Sequence, residues 1–253
     1  MLNRDRQSMI IDLLNQDKSV QITDLAEKFN VSIATIRRDL RELENQRLIK
    51  RVYGGAVLVD RPALQPFFPR ANRHREEKAR LGAMAASLIQ EGETIVLDIG
   101  TTVYEVAKNI KSKQNLMVLT NSLPVLNELE SCKEIKVFSM GGELQPEMHA
   151  LTGSIAELTL SNYFVDKAFI GVAGISIEHG MTNFNQSSAQ LCAATIRRAR
   201  QTILVADSSK FGKTNFAVVG KLDSVHTVIT DAGIPDEYRD YFEKHGIELM
   251  MAP

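Results

Sequence analysis

The sequence predicts a mixed chain: an N-terminal all-α/winged helix-turn-helix domain followed by a C-terminal α/β domain with a mainly parallel sheet. Three observations carry this reading. At 253 residues the chain exceeds one usual domain of ~100–200 residues. Its first sixty residues hold short helical periods that end in a hairpin pattern, whereas from Glu76 onward apolar strands alternate with helices. Between the two, Asp60–Arg75 (DRPALQPFFPRANRHR) holds three of the seven prolines and no helical period. The expected division is therefore residues 1–59, a linker over 60–75, and residues 76–253.

Composition narrows the class. The chain is 44% hydrophobic and 24% charged, enough apolar material for one sizeable and one small core. No run of ~20 apolar residues is present, and the start MLNRDRQSMI is charged rather than signal-like, so a cytoplasmic protein without a membrane partner is expected. Cys132 and Cys192 stand far apart and the five histidines are scattered, so neither a disulfide framework nor a metal site is suggested, and no cofactor is expected. Residues 1–80 carry 16 Lys+Arg against 11 Asp+Glu (+5), and residues 81–253 carry 14 against 20 (−6), which sum to the net −1. A basic head on an acidic body suits a nucleic-acid-binding module fused to a domain with another task.

In the head, Met9, Ile10, Leu13 and Leu14 share one face of a helix over Arg4 to Gln16. A second helix runs through Asp24–Phe29, Asn30-Val31 breaks the pattern, and Ser32 offers an N-cap oxygen for a third. There Ile36, Leu40 and Leu43 form the buried stripe, which leaves Ala34, Thr35, Arg37, Arg38 and Arg41 outside. Two helices joined by a short turn, the second polar and arginine-bearing, match the geometry that reads double-stranded DNA in the major groove. Arginine bonds bidentately to guanine and short side chains meet a thymine methyl. Ser32, Thr35 and Arg41 suit phosphate contacts that set the register. Leu48–Leu58 then reads as strand, Gly-Gly turn, strand, a wing whose Lys50, Arg51 and Tyr53 reach toward the duplex backbone or minor groove.

An Arg-Arg-Asp-Leu run alone is usually a solvated face; the ordered set of helices and hairpin is what makes DNA binding the better reading. Ser32-x-x-Thr35-Ile36-Arg37-Arg38-Asp39-Leu40, preceded by Arg6 and followed by Tyr53-Gly54-Gly55-Ala56, closely resembles the signature of the DeoR-type bacterial regulators.

The linker reads as a solvated tether, with Phe67-Phe68 docking on a domain surface and Arg70, Arg73 and Arg75 a lesser candidate for extending the DNA footprint. Beyond it the expected order is helix Lys78–Leu88, strand Thr94–Asp98, helix Glu105–Ile110, strand Leu116–Thr120, helix Pro124–Leu129 and strand Ile135–Met140. Helix Ile155–Leu160, strand Lys167–Gly171, helix Ala189–Ala199 and strand Thr202–Asp207 follow, then strand Val225–Thr230, helix Asp236–His245 and strand Ile247–Met250. In such sheets ligands bind beyond the carboxyl ends of the strands. Those ends here read Asp98-Ile99-Gly100-Thr101-Thr102, Thr120-Asn121-Ser122, Gly141-Gly142-Glu143, Gly171-Val172-Ala173-Gly174 and Asp207-Ser208-Ser209-Lys210. Glycines admit close backbone approach, hydroxyls donate, and a helix N-terminus favours an anion, so an anionic small-molecule pocket is expected.

The resemblance extends to the family's C-terminal effector domain, which is similar to the ribose-5-phosphate isomerase and CoA-transferase folds, and the family generally senses phosphorylated sugars. It implies that Gly100, Thr101 and Thr102 cradle a phosphate, that Asp98 and Asn121 meet sugar hydroxyls, with Ser122, Gly141 and Gly142 on the same rim, and that Lys210 supplies positive charge. Asp98 and Asn121 equally fit helix caps, and Lys210 a pair with Asp207. The related isomerases carry aspartates where this chain has Gly171-Val172-Ala173-Gly174-Ile175, so a sensor rather than an enzyme is implied, with no catalytic residue. Many family members have a glutamate near Ser188 and a lysine near Cys192; this chain departs at both, and Cys192 reads as a buried packing residue. The expected whole is a dimeric or tetrameric repressor of a carbohydrate-catabolic operon, against the alternatives of a DNA-tethered enzyme or a constitutive binder.

Overall fold

The structure, a computed structural model, describes residues 3–17, 19–45, 49–58 and 66–253. The chain forms two compact units, Met1–Pro69 and Arg70–Pro253.

In the first unit, helix α1 (Asn3–Asp17) is followed by strand β1 (Ser19–Gln21), α2 (Ile22–Phe29), α3 (Ile33–Asn45), β2 (Ile49–Val52) and β3 (Gly55–Leu58). Ile10, Ile11, Leu14, Leu25, Ile36, Leu40, Leu43, Ile49 and Ala56 make its core. Met9, expected on the buried stripe, is exposed and Ile11 takes its place, because α1 turns its i, i+1, i+4 face inward. The helix-turn-helix corner is made by Asn30, left-handed at φ 49°, which closes α2 by donating to Ala26 O and Glu27 O. β1 was not expected, being three residues and too short to show alternation; it pairs antiparallel with β3, giving the order β1-β3-β2. The wing turn also differs from the Gly-Gly reading. Val52 pairs with Gly55, so the turn residues are Tyr53 and Gly54, and Gly55 belongs to β3. A side chain at 55 would place its Cβ 2.0 Å from Val20 O, so glycine is what lets β1 lie against the wing. Leu48 and residues 60–65 lie outside the described residues.

Helix α4 (Phe67–Asn72) corrects the linker, which was read without helical period. Phe67 is buried and meets Phe68 edge to face at 5.6 Å.

The second unit continues with α5 (Arg75–Ser87), β4 (Thr94–Leu97), α6 (Thr101–Asn109), β5 (Leu116–Thr120), α7 (Leu123–Leu129), β6 (Ile135–Ser139), β7 (Glu143–Gln145) and β8 (Ala150–Thr152). Next come α8 (Ser154–Ser161), β9 (Val165–Ile170), β10 (Gly174–Ser176), β11 (Gly180–Asn183), α9 (Gln186–Arg198) and β12 (Ala199–Val205). The chain ends with β13 (Ala217–Gly220), β14 (Thr227–Asp231), α10 (Asp236–Lys244) and β15 (Glu248–Ala252). Seven of these strands form one parallel sheet, ordered β15-β14-β12-β9-β4-β5-β6. Its two faces are sorted by alternation along each strand. Ile95, Leu97, Val118, Ile203 and Ile229 face a core with Leu81, Ala85, Val103 and Leu129. Val96, Leu119, Leu204 and Val228 face another with Ala156, Leu160, Leu191 and Phe242. From β4 the chain builds outward to β5 and β6, then returns to β9 on the other side of β4. The switch point of the sheet therefore lies between β4 and β9, where crossovers diverge and a crevice opens. The antiparallel pair β7-β8 and the sheet β10-β11-β13 were not expected; strands of three or four residues carry too few positions for a period.

Candidate nucleic-acid interface and effector cavity

The head presents its arginines because one carboxylate points the other way. Asp39, buried within α3, accepts from Arg6 Nε at 2.5 Å and from Nη2 at 3.1 Å, and both side chains are almost wholly enclosed. That bidentate bond ties α1 to α3, and bonding to the carboxylate raises the Arg6 pKa further. With Asp39 turned inward and Ile36, Leu40 and Leu43 buried, Ala34, Arg37, Arg38 and Arg41 lie exposed on the opposite face. Ser32 caps α3, its Oγ accepting from Thr35 N–H at 3.1 Å and lying 2.9 Å from Thr35 Oγ1. In the wing, Tyr53 is fully exposed at the turn and Lys50 faces solvent. Arg51 is exposed but held: Glu44 accepts from its Nε at 2.6 Å and from its N–H at 3.0 Å, which lowers the Glu44 pKa. Arg37, Arg51, Val52 and Tyr53 line a groove between α3 and the wing.

The second unit holds a narrow crevice, partly open to solvent, at the switch point. Its walls come from the ends of β4 (Ile99–Thr102), β9 (Gly171–Ala173) and β12 (Val205, Ala206), together with Arg70, Met148, Asn183, Phe184 and Lys210. α6 starts at Thr101 with Gly100 as its N-cap, earlier than the expected Glu105, so Thr101 and Thr102 form its first turn and offer unpaired helix N–H groups there. Of the residues expected at the pocket, Gly100, Thr101, Thr102 and Lys210 line the crevice. Asp98, Asn121, Ser122, Gly141 and Gly142 are not among its lining residues. Gly142 has a packing reason instead, since a Cβ there would lie 2.4 Å from Thr152 O. Asp98 is fully buried, which pushes its pKa up to about 7 against the opposing pull of the Ile99 N–H, Cys192 and Asn121. Asn121 and Ser122 are buried beside the β8 bridge at Ala150, and the Asn121 amide makes no hydrogen bond of good geometry.

Sequence reasoning missed Arg70. Its place among prolines predicts a solvated tether, but Arg70 lines the crevice, where partial burial lowers its pKa to about 10 and its Nε has no partner among the described residues. Burial likewise lowers Lys210, with Asp207 pulling the other way. Lys78, buried behind them, donates to Arg70 O at 2.6 Å and Arg73 O at 2.7 Å; burial lowers its pKa to about 8. The influences on Lys78 are Asp207, which raises it, and Lys210, Arg70 and Arg73, which lower it. Two half-buried cations, Arg70 and Lys210, thus line the crevice, with Lys78 and Asp207 as charged neighbours. The sequence signal for Arg70 was its place after Phe67-Phe68, an apolar pair out of keeping with a fully solvated tether; Phe67 is buried and Phe68 exposed.

At the departures from the family pattern, Ser188 Oγ lies 3.3 Å from Met148 Sδ and Cys192 is buried beside Asp98, so neutral packing occupies both positions.

A capped, arginine-faced helix with a basic wing, in one chain with a cation-bearing crevice at a sheet switch point, defines a class: DNA-binding regulators with a separate sensor domain. The DeoR-like helix-turn-helix domain matches residues 6–62, and the DeoR C terminal sensor domain matches residues 73–232. The chain is 35% identical to the transcriptional repressor AccR of Agrobacterium fabrum (94% of this chain, 96% of that one). It is 36% identical to the HTH-type transcriptional repressor GlcR of Bacillus subtilis (99% and 97%). It is 34% identical to the glycerol-3-phosphate regulon repressor of Escherichia coli (98% and 99%). The chain belongs to the DeoR family, and it is a DNA-binding transcriptional regulator rather than an enzyme. Among the described residues no helix is long and apolar enough to cross a membrane.

Proposed function

We propose that this regulator represses a carbohydrate-catabolic operon and is released from its operator by a phosphorylated sugar or polyol. The observation that carries the reading is the crevice, where Gly100-Thr101-Thr102 at a helix N-terminus share the lining with the half-buried cations Arg70 and Lys210. A phosphate there would occupy the α6 N-terminus and neutralise two partly desolvated charges. The relatives named as repressors of the glycerol-3-phosphate regulon and of the aga operon support the substrate class. In the head, Arg37 and Arg38 read base edges, Ala34 meets a thymine methyl, and Ser32, Thr35, Arg41, Lys50, Arg51 and Tyr53 hold the backbone. A homo-oligomer, dimer or tetramer, in the cytoplasm sets two heads on operator half-sites, and the effector favours a state in which they are misplaced, a coupling of ~1–3 kcal/mol.

The test is a gel shift on the chain's own upstream DNA, titrated with phosphorylated three- to six-carbon polyols and sugars. Wild type is released by one of them, whereas Thr101→Glu and Arg70→Ala stay on the operator at concentrations that release wild type. Release of both variants at the wild-type concentration would remove the crevice from the reading.

A further inference from the structure

One wall of the crevice does not serve the anion. Asn183 ends β11, whose backbone is fixed on both sides by pairing with β10 and β13. Its side chain is 4% exposed and lines the crevice beside Phe184. The Ala173 N–H sits between Thr182 O and Asn183 Oδ1, 3.0 Å from each. That contact decides which way the amide faces: turned over, it would set NH2 against N–H. The Nδ2 group is therefore the free end, and it is buried with no acceptor among the described residues. A buried donor left unpaired is costly, and an amide NH2 cannot discharge the cost by changing its protonation.

We propose that Asn183 is the specificity residue of the effector site, donating from Nδ2 to an oxygen on the carbon frame of the phosphorylated metabolite. The inference rests on the anion reading above and adds a second pole to it. The ligand carries a phosphate for the α6 N-terminus, Arg70 and Lys210, and a hydroxyl or carbonyl oxygen for Asn183. A fragment with no carbon frame meets the first pole and misses the second. Phe184, Met148 and Val172 add apolar surface to the crevice, whose other side-chain donors, Thr101, Thr102, Arg70 and Lys210, belong to the phosphate pole. A donor with no competing partner discriminates strongly, because a ligand lacking the acceptor leaves it orphaned.

The test uses the full chain and two probes measured by titration calorimetry: inorganic phosphate, and the member of the phosphorylated polyol and sugar panel that wild type binds most tightly. The quantity read is the ratio of the two affinities. Asn183→Asp keeps an oxygen for the Ala173 N–H and replaces the donor by an acceptor; Asn183→Leu removes both polar atoms at similar size. In both variants the margin of the panel ligand over inorganic phosphate falls ten- to hundred-fold. A margin unchanged from wild type overturns the proposal, as does a loss that strikes phosphate and panel ligand in equal proportion, which would make Asn183 a support of the fold. Failure of wild type itself to bind either probe would instead overturn the anion reading, and this inference with it.

Discussion

Asp39→Ala should unfold the DNA-binding head without touching a residue that faces DNA. The variant leaves Arg6, 7% exposed, without the carboxylate that accepts two of its N–H groups at 2.5 and 3.1 Å. Removing one partner of a buried ion pair costs about 3–5 kcal/mol, since the remaining charge stays desolvated. The head lies within Met1–Pro69, and at roughly 0.05–0.15 kcal/mol per residue a unit of that size holds roughly 3–10 kcal/mol. The loss is therefore comparable with the whole stability of the head. Urea denaturation of the full chain, followed by far-UV circular dichroism, should show an early transition split from that of the sensor unit. Operator binding should fall in parallel although Arg37, Arg38 and Arg41 are intact. The double variant Arg6→Met, Asp39→Leu removes both charges and should recover most of the loss, because apolar replacement of a buried pair is often neutral. An Asp39→Ala head within ~1 kcal/mol of wild type, or a double variant as weak as the single, would refute the assignment of Asp39 as the lock between α1 and α3.

Arg37→Ala and Arg38→Ala should each weaken specific operator binding by ~1–3 kcal/mol in a gel shift, with little change on unrelated DNA. Lys50→Ala should weaken both alike and reduce the slope of log K against log salt by ~1. Gly55→Ala drives a Cβ to 2.0 Å from Val20 O and should cost the head about 1–3 kcal/mol or more by the same urea assay. Burial pushes Asp98 up to about 7, above the unfolded value of about 4. The folded carboxyl then holds its proton between those values where the unfolded one has released it, so stability falls as pH rises through that window, by about 4 kcal/mol in all. Asp98→Asn should flatten the melting profile between pH 4 and 7.5; a variant whose profile keeps the wild-type slope assigns the pH dependence elsewhere.

Both domains were legible because periodicity is a local property. Ile36, Leu40 and Leu43 announce α3 by spacing alone, and runs such as Thr94-Ile95-Val96-Leu97 announce buried strands by composition. The strand-end turns pointed to a ligand edge for the same reason, since Gly100, Thr101 and Thr102 follow a strand and open a helix. Tertiary structure decided which of those turns converge. Sheet order places the ends of β4, β9 and β12 around one crevice, and order depends on pairings between residues some seventy positions apart, such as Leu97 with Phe169. That is why Gly100 to Thr102 line it and Gly141 and Gly142 do not. Arg70 and Asn183 escaped the sequence reading because neither carries a local mark: an arginine beside prolines reads as solvated, and an asparagine in a turn-rich stretch reads as a cap. Burial makes them chemical, by removing water from the Asn183 amide and part of it from the Arg70 guanidinium.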